Sequence, residues 1–377
     1  MNLLSVQSVL SAIGSVALAI LILLAMITVH EFGHYIAGKI LKFKINEFAI
    51  GFGPKLFKRK SKKTGELFSV RLLPLGGFCA FEGEDGVNGE ESANAFTKKA
   101  PWKRIIVLVA GPLMNYLLAL LLIIVSMFAF GQPVYKVGSV AQVEPPEQAI
   151  YSEYSLEEGD LLLKVNGKRI YLITDMMSAL KDKVTGDKIS VTVSRGGEER
   201  VQEVILRADC NFESSEEVSK VWHALGLGTV VKDDGVKYWD VSAESYRFGF
   251  FETLGNSFMY SFKIAGTIFK VLGELLTGHI GLSSMGGPVT TIKLTSQLAV
   301  QSAQSFFEIA AYIGVNLAVF NLLPIPALDG SKVIFCLIEW IFRKPVPRKI
   351  EAVIHSVGFV LILAFAVIVD ILQFAKC

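Results

Sequence analysis

Two histidines and a glutamate stand close together in an apolar stretch near the start of the chain. His30-Glu31-Phe32-Gly33-His34 matches the pattern H-E-x-x-H. On a helix, imidazoles four residues apart lie on one face and can bind the same zinc ion, and the glutamate stands close enough to act on a water molecule at that metal. The spacing therefore predicts a helical metal site with His30 and His34 as ligands and Glu31 as its acid/base.

This motif supplies only two ligands, whereas catalytic zinc usually has three protein ligands and a fourth position for water. Asp329 is the candidate third ligand, because it lies in an apolar run, residues 321–330, that two prolines interrupt. An aspartate there can also form a contact between helices, but beside a two-histidine motif we expect coordination. His279 and His355 are weaker candidates: the topology predicted below places His279 on the other side of the bilayer, and His355 stands alone near the fourth span.

The composition is typical of a membrane protein. Of 377 residues, 52% are hydrophobic and 19% are charged, with a mean hydropathy of +0.48, whereas about 25% of residues are charged in an average soluble domain. A wholly soluble chain and a disordered chain are therefore disfavoured. The net charge of +2, from 37 basic and 35 acidic residues, gives no overall attraction to nucleic acid. The four cysteines form no C-x-x-C pair, which argues against a disulfide scaffold and a thiolate zinc site.

Four apolar stretches are long enough to cross a bilayer, which takes about 20 residues. The first stretch lacks a preceding basic region and a small-residue cleavage site, so it is predicted to be a retained helix and not a signal peptide. The sequence thus predicts a polytopic α-helical membrane protein with about four transmembrane helices. The stretches are residues 9–29, 105–130, 309–338 and 352–369.

Lysines and arginines are concentrated in two short segments, residues 39–104 and 343–349. Such segments usually face the cytoplasm. The N-terminus, residues 131–307 and the C-terminus are then predicted to lie outside. If the first helix leaves the membrane near Lys39, His34 lies roughly 7 Å and His30 roughly 13 Å inside that boundary, so the metal site is predicted to lie toward the cytoplasmic side.

The cytoplasmic segment contains a predicted β-hairpin. Its strands are residues 45–52 and 67–81, joined by a basic turn at residues 58–66. Alternating apolar residues and glycine pairs are typical of such a hairpin. Irregular backbone is tolerated at membrane depth when protein covers it, so a re-entrant hairpin and an ordinary cytoplasmic hairpin both remain open.

The long outer segment changes character along its length. Residues 136–208 contain short alternating strands at 161–165, 188–193 and 201–206, which predict a compact soluble domain. Residues 245–276 are aromatic-rich and lightly charged, and we expect them to form an amphipathic helix on the outer membrane surface. A fifth span is the alternative for this segment.

Taken in order, these pieces resemble a site-2 protease, one of the membrane-embedded zinc metalloproteases, of the bacterial regulator-of-sigma-E-protease type. The resemblance covers nearly the whole chain, and Leu156-Glu157-Glu158-Gly159-Asp160 with the strand that follows resembles part of a PDZ domain. The other motifs that carry the resemblance are the H-E-x-x-H pattern, Gly-Phe-Gly-Pro at 51–54, Pro-Leu-Gly-Gly-Phe at 74–78, Ala-Gly-Pro-Leu-Met-Asn at 110–115 and the run at 321–330.

The resemblance implies a Zn²⁺-dependent metalloendopeptidase in the bacterial cytoplasmic membrane. Its substrates would be single-span membrane proteins already trimmed on the outer side, such as anti-sigma factors or signal-peptide remnants, and membrane lipids would be its other partners. The hairpin would pair with an unwound substrate segment. The residues implied are His30, His34 and Asp329 as zinc ligands, Glu31 as catalytic acid/base, and Asn321, Gly51, Gly53, Gly76 and Gly77 in substrate binding.

The predicted organisation has one PDZ domain, and the bulky residues 153–155 before its motif leave peptide-tail capture and exclusion of bulky substrates both open. A non-proteolytic PDZ scaffold with a structural metal is the alternative function. An ion transporter is disfavoured, because paired inverted repeats of broken helices are missing.

The predicted segments are 1–44, first helix; 45–104, hairpin region; 105–131, second helix; 132–210, PDZ domain; 211–307, linker and amphipathic helices; 308–342, third segment; and 350–372, fourth helix.

Overall fold

The computed structural model describes residues 6–84, 93–142, 153–232, 235–282 and 286–374. The remaining residues, including 1–5 and 143–152 of the predicted segments, lie outside this description. The chain divides into two compact units, Met1–Ile123 with Leu282–Cys377, called here the helical unit, and Ile124–Gly281, called the sheet unit. Helix α2 begins in the first unit and ends in the second.

In chain order, the described helices and strands are α1 (Val6–Ile40), β1 (Ile45–Lys60), β2 (Leu67–Phe81), α2 (Pro101–Ala129), β3 (Gln132–Val137), β4 (Leu161–Val165), β5 (Lys168–Arg169), α3 (Ile173–Leu180), β6 (Lys188–Arg195), β7 (Glu198–Ile205), α4 (Val218–Ala224), β8 (Thr229–Val231), β9 (Lys237–Trp239), β10 (Val241–Tyr246), α5 (Phe250–Leu276), α6 (Pro288–Ala299), α7 (Ala303–Leu322), α8 (Asp329–Phe342) and α9 (Arg348–Phe374).

Within the described residues, four helices are long and apolar enough to cross a membrane: Ala12–Ile40 in α1, Pro101–Ala129, Ala303–Leu322, and Lys349–Gln373 in α9. A span takes about 20 residues at 1.5 Å per residue. Together with the sheets, these helices make the chain a polytopic membrane protein. The prediction of a polytopic membrane protein with about four membrane-spanning helices is therefore confirmed. Helix α1 also extends past the apolar stretch and includes the H-E-x-x-H motif, as the motif requires.

The third apolar stretch, predicted as residues 309–338, is not one helix. Helix α7 ends at Leu322 and α8 begins at Asp329. Proline has no backbone N–H and forces the residue before it out of the helical conformation, and residue Leu323, which precedes Pro324, is extended with ψ 147°. Ala327 then takes a positive φ of 74°. The two prolines therefore separate two helices and place Asp329 at the start of the second.

The hairpin differs from its predicted boundaries. Strand β1 continues to Lys60, eight residues beyond its expected end at Phe52, and the turn is shorter than predicted. The reason is glycine: Gly51 and Gly53 have φ values of 86° and 83°, a region that costs other residues energy. The glycines bend the strand where sequence reasoning expected it to stop.

Because both strands bend, the hairpin forms four paired segments. Residues 47–50 pair with 67–70 on one side and with 77–80 on the other, and residues 55–60 pair with 67–71. Residues 77–81 thus form one edge of this small sheet. We call them the inner edge, and they contain the Gly77 and Phe78 of the predicted substrate-binding motif.

A carboxylate holds the bent strands together. Glu47 on β1 accepts hydrogen bonds from Ser69 Oγ at 2.6 Å, Arg71 Nη2 at 2.9 Å and Lys55 Nζ at 3.1 Å. Burial raises the pKa of Glu47, but these three donors outweigh it and hold the pKa below its usual range. Glu47 therefore stays ionised, and its charge joins segments on both strands.

The hairpin is also fixed to α1. Glu66, buried at the end of the turn, accepts from Lys39 Nζ at 2.6 Å and from the Tyr35 hydroxyl at 3.3 Å. Nearby, the ring centroids of Phe43 and Phe81 lie 5.8 Å apart in an edge-to-face contact. Opposite charges and edge-to-face aromatic rings attract each other, so both contacts hold the hairpin in place. The hairpin thus has a set position relative to the last turns of α1.

The sheet unit is built on antiparallel strands in the order β10-β3-β4-β6-β7, with β5 paired to β4. Strand β4 has the predicted bounds, and β6 and β7 contain most of the other two predicted strands. The larger apolar side chains face one core under α3 and α4. This core includes Leu162, Val165, Met176, Leu180, Val191, Leu206 and Trp222.

Helix α5 covers most of the predicted amphipathic segment, while residues 245–246 end β10. Within the sheet unit, α5 is joined to the segment around α3 by polar contacts. Lys263 Nζ lies 2.5 Å from Asp175 Oδ1, and the Tyr171 hydroxyl donates to Asn256 Oδ1 at 3.2 Å. Helix α5 is not among the described helices that meet the length and composition of a span, and its placement on a membrane surface stays a prediction.

A buried ion pair fixes the turn of the PDZ-like motif. Asp160 is fully buried and accepts from Arg195 Nε at 2.7 Å and Nη2 at 2.9 Å, and also from the backbone N–H of Glu157 at 2.9 Å. A two-pronged arginine contact satisfies both carboxylate oxygens. The pair therefore ties the turn before β4 to the end of β6.

We expect Arg195→Leu to destabilise the sheet unit by about 3 kcal/mol, because removing one partner leaves the other charge buried and unpaired. Hydrogen exchange of β4 and β6 amides in the full-length protein measures this loss. Lys188→Leu is the matched control, since its pair with Glu203 spans 3.8 Å with both side chains more than half exposed. If the two variants exchange equally fast, the ion pair has no special role.

Candidate functional site

Three side chains predicted as ligands converge on one point in the helical unit. His30 Nε2 lies 3.1 Å from His34 Nε2, and Asp329 Oδ2 lies 3.0 Å from the first and 3.3 Å from the second. Among the described residues, this is the one group of three or more possible metal ligands whose donor atoms lie within 4.8 Å of one another. The structure therefore unites residues that are 299 positions apart.

The backbone explains how each ligand reaches this point. Helix α1 presents His30 and His34 one turn apart, with their rings edge to face at 4.8 Å between centroids, and both are buried. Asp329 follows the proline break at the start of α8. His355 supports that break, because its Nδ1 accepts from the Ala327 backbone N–H at 3.0 Å. His355 thus positions the segment before Asp329, and neither it nor His279 belongs to the ligand group found among the described residues.

The donor set fits zinc. His34 Nδ1 lies 2.8 Å from the Val107 carbonyl oxygen, which can only accept, so in neutral His34 the proton is on Nδ1 and the Nε2 lone pair faces Asp329. Two acceptors that face each other at 3.3 Å repel unless a cation joins them. Ligand atoms about 2.0–2.1 Å from a tetrahedral zinc ion lie about 3.3 Å apart. Two imidazoles and a carboxylate also leave a fourth position open, as in catalytic sites.

Glu31 lies beside these ligands and beside the hairpin. It lines a cavity of about 300 Å³ together with His34, Asp329 and the inner-edge residues Phe78–Phe81. The backbone N–H of Cys79 lies within hydrogen-bonding reach of the Glu31 carboxylate. A carboxylate next to an open metal position is placed to act as a general acid/base. The cavity thus brings together a possible acid/base, the metal ligands and a strand edge.

Helix α2 passes close behind the two histidines. A Cβ on Gly111 would collide with the imidazole of His34 and would lie 3.0 Å from His30 Cε1. A Cβ on Gly33 would likewise collide with the carbonyl group of Ala110. Glycine at both positions lets the helices approach closely, as at other tight helix crossings. The histidine rings therefore lie directly against α2.

With this geometry in view, comparison with known proteins decides the family. The chain matches peptidase family M50 over residues 18–365. It belongs to peptidase family M50. It is 33% identical over 354 residues, covering 94% of this chain and 96% of the relative, to a protein of Clostridium perfringens that is named a zinc metalloprotease. Proteins of the same description from Fusobacterium nucleatum, 31% identical, and Nostoc, 30% identical, each match 94% of the chain, and the matches cover 96% and 94% of their own lengths.

Family membership confirms the resemblance to site-2 proteases and the zinc dependence that it implied. This M50 peptidase is a zinc metalloprotease. His30, His34 and Asp329 are the residues of its described part that fit the zinc ion. The alternative of a non-proteolytic scaffold is not favoured, since an open ligand position beside Glu31 has no purpose in a purely structural metal site.

The predicted substrate-binding residues of the peptidase are not among the residues that line the cavity. Gly51 and Gly53 form the bend of β1, and a Cβ on Gly76 would collide with the Phe52 ring. Asn321 lies partly buried in the last turn of α7. Within the described part of the chain, neither Asn321 nor the four glycines line the cavity that Glu31 lines. Their role in substrate binding stays a prediction.

Sequence reasoning assigned no role to Lys332. It lies one turn after Asp329 on α8, and its Nζ is 2.7 Å from Glu84 Oε1. Both side chains line the cavity with Glu31 and His34. Residues three apart on a helix are neighbours, so the sequence could have indicated that Lys332 lies near Asp329. It could not have indicated Glu84, which meets Lys332 only through tertiary packing. The peptidase thus has an ion pair in the wall of the cavity that Glu31 lines.

We expect His34→Ala and Asp329→Ala to weaken zinc binding by at least about 100-fold, since each removes a ligand and the loss of a mere supporting contact already costs 10–100-fold. Metal analysis of purified peptidase after dialysis against a chelator measures the loss. His279→Ala, a histidine of the sheet unit whose Nδ1 lies 2.7 Å from Thr277 Oγ1, should retain zinc. Full zinc occupancy in Asp329→Ala would exclude it as a ligand.

Proposed function

We propose that this zinc metalloprotease cleaves peptide bonds within transmembrane segments, as in regulated intramembrane proteolysis. The proposal rests on the position of the H-E-x-x-H motif. His30, Glu31 and His34 all belong to Ala12–Ile40, one of the four candidate spans. A peptide bond that reaches these residues must enter the apolar layer that the span occupies. Ionisable residues inside a span are costly and are usually functional.

The substrate class follows from the strand edge. A transmembrane helix hides its amides, so a scissile bond must first be offered in an extended segment. An exposed strand edge can accept such a segment by backbone pairing, and the inner edge lines the Glu31 cavity. A cavity of about 300 Å³ suits an extended chain and not a folded domain. We infer single-span substrates whose outer domain has already been removed, such as anti-sigma factors or signal-peptide remnants.

The chemistry is metal-assisted hydrolysis. His30, His34 and Asp329 would hold the zinc ion, which would supply the Lewis acidity that makes water nucleophilic near neutral pH. Glu31 accepts the proton that water loses as its oxygen attacks the scissile carbonyl carbon, and returns this proton to the amine when the C–N bond breaks. The inner edge holds the substrate backbone beside Glu31. Asn321 is proposed to hold the substrate or its developing oxyanion.

The same proposal includes a location. The short basic segments support a bacterial cytoplasmic membrane with the active site toward the cytoplasm. The domain predicted at 132–210, which we propose to be a PDZ domain, would then lie outside. Its role is either to hold substrate tails or to keep bulky substrates from the membrane helices.

Glu31→Gln should lower cleavage of a single-span test substrate by about 10²–10⁴-fold, the usual contribution of a general acid/base. Zinc content should stay unchanged, because Glu31 is not a ligand. The measurement uses purified full-length protein in lipid vesicles with a substrate lacking its outer domain. Glu308→Gln is the control, since Glu308 is an acid in another span, bonded to Gln304 at 2.8 Å. A Glu31→Gln protein that cleaves normally refutes the mechanism.

A second prediction concerns the inner edge. A Cβ on Gly77 would lie 2.9 Å from the Ala49 carbonyl oxygen and 3.4 Å from Glu31 Cγ. Gly77→Ala should therefore shift the edge against Glu31 and reduce cleavage by about 10–100-fold, because small misplacements of reacting groups are costly. Zinc affinity should not change.

Gly65→Ala provides the comparison in the same hairpin. Gly65 also has a positive φ, 77°, but no atom lies within 4 Å of its added Cβ. This variant is expected to lose some stability and to cleave at the wild-type rate. Equal activity of the Gly77 and Gly65 variants would show that the inner edge does not position the reaction.

A further inference from the structure

Asn115 on α2 is an unusual buried amide. Its side chain is fully buried, and its Nδ2 lies 3.4 Å from His30 Nδ1. Its Oδ1 is buried without a hydrogen-bond partner among the described residues. Leaving a buried acceptor without a partner is unfavourable, and such exceptions usually have a functional reason.

The orientation of this amide controls which nitrogen of His30 carries the proton. When Nδ2 donates to Nδ1, the ring proton of neutral His30 must be on Nε2. That proton then points at Asp329 Oδ2, 3.0 Å away. A protonated Nε2 has no lone pair for a metal. In this orientation the His30 N–H donates to the Asp329 carboxylate and is not available to a metal.

Rotation of the Asn115 amide group by a half-turn moves the ring proton of neutral His30 from Nε2 to Nδ1. The rotation exchanges the positions of Oδ1 and Nδ2, which have nearly the same shape. Oδ1 then accepts a hydrogen bond from Nδ1–H, and the Nε2 lone pair faces His34 and Asp329. His34 already has this arrangement, because the Val107 carbonyl oxygen lies behind its Nδ1. Both histidines would then have an oxygen acceptor on the side away from the metal.

We propose that Asn115 is a positioning residue that selects the metal-binding tautomer of His30 by presenting its Oδ1 to the His30 Nδ1–H. Acceptors behind ligating histidines fix the tautomer and the ring orientation and contribute 10–100-fold to metal affinity. Asn115 acts through His30 and touches neither substrate nor metal. The proposal concerns zinc binding, so it stands whether or not the substrates are transmembrane segments.

The local packing keeps Asn115 in place. It follows Gly111 by one helical turn, so both share one face of α2. The absence of a side chain at Gly111 lets this face lie against the histidine rings. On the neighbouring α7, a Cβ on Gly314 would lie 3.3 Å from the Asn115 carbonyl oxygen. The backbone of Asn115 is therefore closely packed between the histidine rings and α7.

Two variants of similar size separate the roles of Asn115. Asn115→Leu keeps the volume but removes the acceptor, and zinc affinity should fall by about 10–100-fold. Asn115→Asp offers only acceptors, and it should bind zinc within about threefold of wild type or more tightly, as carboxylates do behind zinc-bound histidines. Competition for Zn²⁺ between the metal-free full-length protein in detergent and a coloured chelator measures both affinities.

The control is Asn256→Leu on α5, which removes another buried amide whose Nδ2 has no partner among the described residues. Its zinc affinity should equal that of wild type. The proposal is wrong if Asn115→Leu binds zinc as wild type does, or if Asn115→Asp binds as weakly as Asn115→Leu. If the leucine variant does not fold, Asn115→Ala replaces it with the same expected loss. None of these measurements depends on cleavage, so they are separate from the test of Glu31.

Discussion

Mutual repulsion of acceptor groups is the constraint on which this structure depends. His34 Nε2 and Asp329 Oδ2 face each other at 3.3 Å in a buried site, an arrangement that a zinc ion or a shared proton stabilises. Three neighbouring elements position these side chains. Helix α1 supplies two ligands from one face, the proline break brings Asp329 to the start of α8, and glycine at position 111 lets α2 support the rings. The helices are thus organised around three side chains whose donor atoms fit one zinc ion.

The second requirement is a strand edge beside Glu31, and the hairpin meets it through bends and not through length. Glu47 joins segments of both strands, and Glu66 joins the turn to the end of α1. The inner edge therefore reaches Glu31 as part of a small folded sheet. A flexible loop would lose entropy each time it paired with a substrate, whereas this edge is already ordered.

Local pattern and chemistry predicted the metal site from sequence. The spacing of His30 and His34 is local, and Asp329 was the acid that interrupted an apolar run. Other features depend on long-range contacts that no local pattern specifies. Glycine at 51 and 53 is compatible with a turn or with a bend, and only pairing with β2 decides between them. The meeting of Asn115 with His30 and of Lys332 with Glu84 likewise depends on tertiary packing, so these two contacts were not predicted.

Helix α1 contributes to the metal site and also holds the hairpin. The number of residues between these two points limits which insertions and deletions the helix can tolerate. Glu31 serves the metal site, while Lys39, eight positions later, holds the hairpin through Glu66. Each residue inserted between them would rotate the hairpin by about 100° around the helix axis relative to the metal. Substitutions in this stretch can be compensated by neighbours, but a change in its length cannot. The number of residues between acid/base and anchor is therefore as fixed a property of this enzyme as the identity of its ligands.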